Sequence, residues 1–330
     1  MSVAQWPITP ADLAFFAKEL DAFLPHRIFD AHCHLYRNAD FTGATPSLAA
    51  SGPAVVDWPC FLAHMQGIAP GREYSGLVFP FPAVGLDTAS ANQFLADQLA
   101  AHSNLRGAMI VTPDMDPEFI RQTVRRHRFS GLKCYHVFAR TEPTFDSAVE
   151  AYLPEEQVRI AHEERLSITL HMVRARAIAD PVNQESIARL ARKYPDARWI
   201  LAHAARGFNP YHTIEGIGAL KGAGNIWCDT SAVTEAGAFE AIVRTLGADR
   251  LLYGADFPVT HLRGRCVAIG DSFLWLTAGN TKFHASYAPI EPLLIFLESL
   301  RALKTACWNL QLNDTAVEAI FHTNAARLFP

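Results

Sequence analysis

The run Asp30-Ala-His32-Cys-His34 constrains this chain more than any other segment. It follows Ile28-Phe29 and reads as the end of a β-strand. Side chains alternate along a strand, so Asp30, His32 and His34 are expected on one face and Ala31 and Cys33 on the other. Two neutral imidazoles side by side suit a divalent cation better than a core. Short His-x-His runs also arise by chance, so the meaning of this one depends on where further ligands lie.

Seven more strand-like runs follow. Together with residues 27–33, the apolar segments 75–81, 106–112, 131–137, 166–172, 198–204, 225–231 and 250–255 alternate with helical ones. Residues 87–102 place Phe94, Leu95, Gln98 and Leu99 at helical spacing, and Asp180-Pro181 opens a helix that runs to Tyr194-Pro195. An amphipathic helix over 10–24 precedes the first strand. Eight strands alternating with helices predict parallel βαβ units, and eight is the number that closes a (β/α)8 TIM barrel. A doubly wound open sheet is the rival, but no Gly-x-Gly-x-x-Gly follows any of these strands.

The barrel is expected to be one domain over 1–330, with two connections too long for plain loops. Residues 35–74 follow the first strand and include a helix around 57–68. Residues 257–289 follow the eighth and carry His261, Arg263, Arg265, Trp275 and His284. Such long loops are expected to shape or cover the active site, the alternative being surface excursions or an oligomer contact.

Half of the 330 residues are hydrophobic and the formal net charge is −4. That balance argues against nucleic acid or an anionic membrane as partner. No signal peptide and no apolar run long enough to span a bilayer are seen. The six cysteines (33, 60, 134, 228, 266 and 307) form no Cys-x-x-Cys pair, as expected of free thiols in the cytoplasm. A homodimer is the default expectation for a soluble protein of this kind.

In a barrel, chemistry sits at the carboxyl ends of the strands. Those ends carry His32 and His34, then Lys133 and Tyr135, His171, His203 with Arg206 just beyond, Asp229, and finally Asp256. Each has a bland reading: a satisfied buried histidine, a turn cap at Asp256, loop hydrogen bonding by Arg206. For Asp229-Thr230-Ser231 the bland reading, a helix N-cap, is preferred. What favours chemistry is coincidence, since four imidazoles and an aspartate fall at the same level on four strands. Lys133 stands apart from lysines 18, 193, 221, 282 and 304, which lie in polar contexts. A lysine inside an apolar strand must be paired, deprotonated or modified, or else reach the barrel rim. It could bind a substrate anion or become a carbamate between two metals.

These residues resemble the amidohydrolase superfamily, and more narrowly its amidohydrolase-related branch of metal-dependent barrel hydrolases and decarboxylases. The resemblance runs from Asp30-Ala-His32-Cys-His34 through Leu170-His171, Ala202-His203-Ala204 and Tyr253-Gly-Ala-Asp256-Phe-Pro258 to Asn324-Ala-Ala-Arg327-Leu-Phe329. It implies one divalent metal, zinc, held by His32, His34, His171 and Asp256, with His203 beside it orienting water or substrate. Asp30 becomes support for the ligands. Lys133 is the departure: it resembles the carbamate-bridged members, in which His171 and His203 would hold a second metal. One metal is the expectation, because lysines also occur here in members not known to be binuclear.

The expected activity is hydrolysis of a C–N or C–O bond (amide, lactone or ester) in a small polar or carboxylated molecule. Asp256 would act as general acid and base, and Lys133, Tyr135 and Arg206 would hold the substrate. A non-oxidative decarboxylase or hydratase on the same metal site is the runner-up. A catalytically silent, ligand-binding barrel comes third.

Overall fold

The computed structural model describes residues 6–277, 280–281 and 290–330. Lys282 and His284 lie outside the described residues. Eight parallel strands follow one another around a single sheet in sequence order. They are β1 (Arg27–His34), β2 (Glu73–Phe79), β3 (Leu105–Ile110), β4 (Gly131–Cys134), β5 (Ser167–Leu170), β6 (Arg198–Leu201), β7 (Ile226–Asp229) and β8 (Leu251–Leu252). The last is short, but the chain beyond it closes the ring onto β1. Ala31 N donates to Tyr253 O, Asp256 N to His32 O and His34 N to Phe257 O, all at 2.8–2.9 Å. The expected (β/α)8 barrel is thus the observed architecture.

Local chemistry explains the helix starts. Asp57, Asp87, Asp116 and Asp180 each accept from backbone N–H groups at the first turn of Trp58–Ile68, Thr88–Ala101, Pro117–His127 and Pro181–Lys193. The opening helix is shorter than expected. Pro10–Phe15 is locked by a reciprocal Thr9–Asp12 cap and widens into a π-helical turn over Phe16–Leu20.

Two apolar layers surround the sheet. The larger one packs the helices against the outer strand faces. The smaller fills the barrel with Phe29, Ala31, Leu77, Phe79, Ala108, Ile200 and Leu252, and Leu328 and Phe329 plug its lower end. Phe329 stacks on Phe29 with ring centroids 5.7 Å apart. The C-terminus therefore seals the end opposite the strand tips, so the open end is where the carboxyl-terminal side chains collect.

The alternation expected for β1 is broken. Its register with β2 shifts between Asp30 and Cys33. Phe29 and Ala31 fill the barrel, while Ile28 and Cys33 belong to the outer layer. A bulge adds one residue and inverts the faces beyond it. His32 and His34 therefore point into the open end, but Asp30 does not share their face.

The segment after β8 is not a plain loop. It forms a hairpin, β9 (Gly264–Ile269) and β10 (Ser272–Thr277), that leans over the open end. Asp12 fastens its base by accepting from Arg263 Nη1 and Leu294 N at 3.1 and 3.2 Å. The segment after β1 goes elsewhere. Its helix Trp58–Ile68 packs on the barrel flank, with Phe61 edge-on to Phe257 at 5.4 Å.

Candidate metal centre and cavity

A cavity of about 460 Å³ opens at the carboxyl ends of the strands. His32, His34, Lys133, Tyr135, His171, His203, Arg206 and Asp256 all line it. None of the described lining comes from residues 35–74, contrary to expectation. Phe81 after β2, His136 and Phe145 after β4, Phe208 after β6, and Phe273 and Trp275 of the hairpin complete the wall.

The hydrogen bonds assign the imidazole tautomers. His34 Nδ1 lies 3.1 Å from Pro80 O, a pure acceptor, so Nδ1 carries the hydrogen. His32 Nδ1 donates to Asp229 Oδ2 at 2.8 Å. Both Nε2 atoms then present lone pairs, and both face the same atom: Asp256 Oδ1 is 3.5 Å from His32 Nε2 and 3.3 Å from His34 Nε2. Burial, reinforced by Lys133, lowers both histidine pKa values, that of His34 to about 3, so the rings are neutral. Among the described residues, His32, His34 and Asp256 thus converge as two nitrogens and one oxygen, a donor set that fits a divalent cation.

His171 and His203 form a second pair beside this set. His203 Nδ1 faces Ser231 O at 3.1 Å and so donates. Its Nε2 lone pair then receives His171 Nδ1–H at 3.0 Å. Burial lowers both pKa values, that of His203 to about 4. His171, expected with the ligands, is turned toward His203 rather than gathered with His32, His34 and Asp256.

His203 does not lie on a strand. β6 ends at Leu201, and His203, Ala204, Ala205 and Arg206 take φ of 58°, 53°, 57° and 59°. Four consecutive left-handed residues without glycine are costly, and such strain gathers at functional sites. Here the turn is held by Asp229 Oδ1, which accepts from His203 N at 2.8 Å, and by Thr213 Oγ1, which donates to Ala204 O at 3.0 Å.

Asp229 is not a helix cap. The next helix, Ala236–Leu246, starts well beyond it. Fully buried, Asp229 accepts instead from His32, His203 and Ser231. Burial opposes its charge, but these partners outweigh it and hold the carboxyl well below the usual range. Its place at the tip of β7 was the signal for this role.

Lys133 is buried at the edge of the ligand set. Its Nζ is 3.4 Å from His32 Nε2 and 4.3 Å from the centre of the Phe79 ring. Burial pulls its pKa down to about 8. Asp30 Oδ1 accepts from His32 N and Ala255 N, both at 2.9 Å, and so ties β1 to the turn bearing Asp256.

A family model for amidohydrolases matches residues 29–330. An L-fucono-1,5-lactonase from Burkholderia ambifaria is 24% identical over 268 residues, 75% of this chain and 84% of that protein. A zinc-bound amidohydrolase from Burkholderia multivorans aligns with a TM-score of 0.57 at 13% identity, covering 91% of this chain and 98% of its own. A Polaromonas dihydroxybenzoic acid decarboxylase with bound manganese and 2-nitroresorcinol aligns at 0.58 with 16% identity, over 92% and 97% of the two chains. With the family model spanning the barrel from β1 to the plug at its base, the chain belongs to the amidohydrolase family.

Proposed function

We propose that the protein is a metal-dependent hydrolase of a C–O bond in a small cyclic or acyclic ester, with lactones as the leading class. The observation that carries this reading is the convergence of His32 Nε2, His34 Nε2 and Asp256 Oδ1 within 3.3–3.5 Å. The 24% identical lactonase supports the choice of bond.

One divalent ion, zinc in the first instance, would be held by His32, His34 and Asp256, with His171 adjacent. When bound, such an ion supplies Lewis acidity, polarising a carbonyl and drawing the pKa of water toward ~7. The chain's residues do the rest. Asp256 turns Oδ1 to the two imidazoles, which leaves Oδ2 to take a proton from the attacking water and pass it to the departing oxygen. Asp256 Oδ2 is 3.8 Å from His203 Nδ1, so His203 borders the same space and, paired with His171, forms a fixed wall for the substrate. Lys133 and Tyr135 add donors at the wall, and Phe81, Phe208 and Trp275 exclude water from the middle of the cavity.

The test is a panel of sugar lactones, pyrone carboxylates, aryl amides and dihydroxybenzoates, run in ¹⁸O-labelled water with the zinc- and manganese-loaded protein. Label in an acid product without carbon dioxide is the expected result. Carbon dioxide from a dihydroxybenzoate, with no label incorporated, would replace the hydrolase reading with a decarboxylase.

A further inference from the structure

Arg206 is a buried cation with no carboxylate partner among the described residues. It is 5% exposed, and the titratable groups nearest it, the phenols of Tyr135 and Tyr152 and the thiol of Cys266, are kept neutral by burial and include no carboxylate. Its guanidinium lies between two rings, 4.6 Å from the centre of Phe145 and 5.2 Å from that of Phe273. Nη1 donates to Arg174 O at 3.1 Å, and Nε is closed off with no partner among the described residues. Among the described residues one of its five N–H donors is thus engaged, and the terminal edge remains. Burial pulls the pKa down only to about 10, so the group keeps its charge at neutral pH.

An unpaired charge taken out of water is strongly unfavourable. Two less buried arginines show the usual remedy, Arg121 with Glu164 and Arg263 with Asp12, while Arg198 spends both its terminal nitrogens on the carbonyls of Leu328 and Arg165. Among the described residues Arg206 has no carboxylate partner and a single carbonyl, that of Arg174, yet it lines the cavity. It is also delivered there by the strained left-handed turn that places His203, so one backbone device serves both residues.

We propose that Arg206 is the docking point for a carboxylate of the substrate that takes no part in the reaction. The substrate class is a small monoanionic lactone or ester. Its carboxylate meets the Nη1/Nη2 edge of Arg206, while its scissile C–O bond lies at Asp256. Water adds across that bond, giving one new acid and one alcohol, and the docked carboxylate is unchanged. The position of the scissile bond rests on the hydrolase reading; the anion subsite stands on the cavity alone. A decarboxylase substrate places its carboxylate at the reacting centre instead, so the two readings put the charge at opposite ends.

Benzoate and benzamide, equal in shape and unequal in charge, are titrated calorimetrically into the metal-loaded full-length protein. Benzoate is expected to bind about tenfold tighter than benzamide. Arg206→Met fills the space between the rings without charge and should bring the two affinities within about twofold. Equal affinities in the unsubstituted protein, or a benzoate preference that survives in Arg206→Met, overturns the subsite. If the methionine variant does not fold, Arg206→Lys decides. The lysine keeps the charge but not the planar fork and should weaken benzoate about tenfold, and unchanged affinity rejects the proposal. A benzoate preference without any ester hydrolysis sinks the hydrolase reading alone. Hydrolysis and benzoate binding both indifferent to Arg206 sink the subsite alone.

Discussion

Asp229 Oδ2 lies 2.8 Å from His32 Nδ1, while Oδ1 of the same carboxylate holds the backbone N–H of His203 at 2.8 Å. One buried carboxylate thus fixes the tautomer of His32, a proposed ligand on β1, and the entry of the turn after β6. Partners of this kind orient metal-bound histidines and raise their basicity.

Asp229→Asn should therefore weaken metal binding about 10- to 100-fold, because an amide can present its NH₂ to His32 and turn the ring. Competition with a chelator measures this directly. An unchanged metal affinity would show that Asp229 only anchors backbone. Asp229→Ala should in addition cost about 1–3 kcal/mol of stability, since the buried His203 N–H loses its acceptor.

Asp256→Asn tests the proton-transfer role. The variant keeps its shape and two imidazoles, so it should retain metal in part. Turnover should fall by a factor on the order of 10² or more, in kcat rather than KM. Near-normal turnover would remove Asp256 from the reaction.

How much of this was legible beforehand follows from the range of the signals involved. The strands and helix starts are local patterns: apolar runs, and Asp at the start of Thr88–Ala101 and Pro181–Lys193, so they could be read directly. His32, His34 and Asp256 were readable because strand ends mark the open face of a barrel. Asp229 was misread because Asp-Thr-Ser is a local capping pattern, whereas its partner His32 is 197 residues away. The face of Asp30 was misread because a bulge leaves no mark in five residues of sequence. His136, Phe145 and Phe273 were missed because they sit on loops and a hairpin whose contacts follow no period.

The left-handed turn makes a prediction that Gly and Val separate. Ala205 is buried at φ 57°, where a Cβ is strained and a β-branched side chain far more so. Ala205→Gly should leave stability and substrate turnover near their starting values. Ala205→Val should cost about 1–3 kcal/mol and displace both His203 and Arg206. Chemical denaturation and the benzoate titration read the two effects. Equal behaviour of the two variants would mean the turn relaxes without consequence.

His261 should make stability depend on pH. It is buried against Phe257, His64 and Trp6, with ring centroids 4.6, 5.3 and 5.8 Å away, and neither nitrogen has a partner among the described residues. Burial first, then His64 and Arg263, lower its pKa to about 3 from the ordinary value of 6.5. The unfolded chain takes up this proton below that ordinary value and the folded protein does not. Its contribution is therefore present at neutral pH and is lost progressively as the pH falls toward about 3. His261→Phe should flatten the fall in stability across this window by up to one proton, about 1.4 kcal/mol per pH unit, without loss at pH 7.5. Parallel profiles for the two proteins would show that His261 titrates normally.

The hairpin that supplies Phe273 and Trp275 is held at mid-strand by Thr234 Oγ1, which donates to Cys266 O at 2.6 Å, and at its turn by a buried amide. Asn209 Nδ2 donates to Gly270 O at 3.1 Å and to Ser272 O at 2.8 Å, on either side of the turn. Asp271 at the tip also meets Arg176 and His212, but that carboxylate is largely exposed. Exposed pairs contribute at most about 1 kcal/mol, whereas unmaking buried hydrogen bonds to backbone costs more. An isolated two-stranded hairpin is marginal by itself. Asn209→Ala should therefore accelerate amide exchange at the turn end of β9 and β10 and weaken benzoate, because the adjoining Phe273 shifts from Arg206. Asp271→Asn should change neither appreciably. Hydrogen exchange read by mass spectrometry separates the two variants, and full protection of 264–277 in Asn209→Ala would place the hold on the hairpin at Thr234 and at its base, with Asp12 and Arg263.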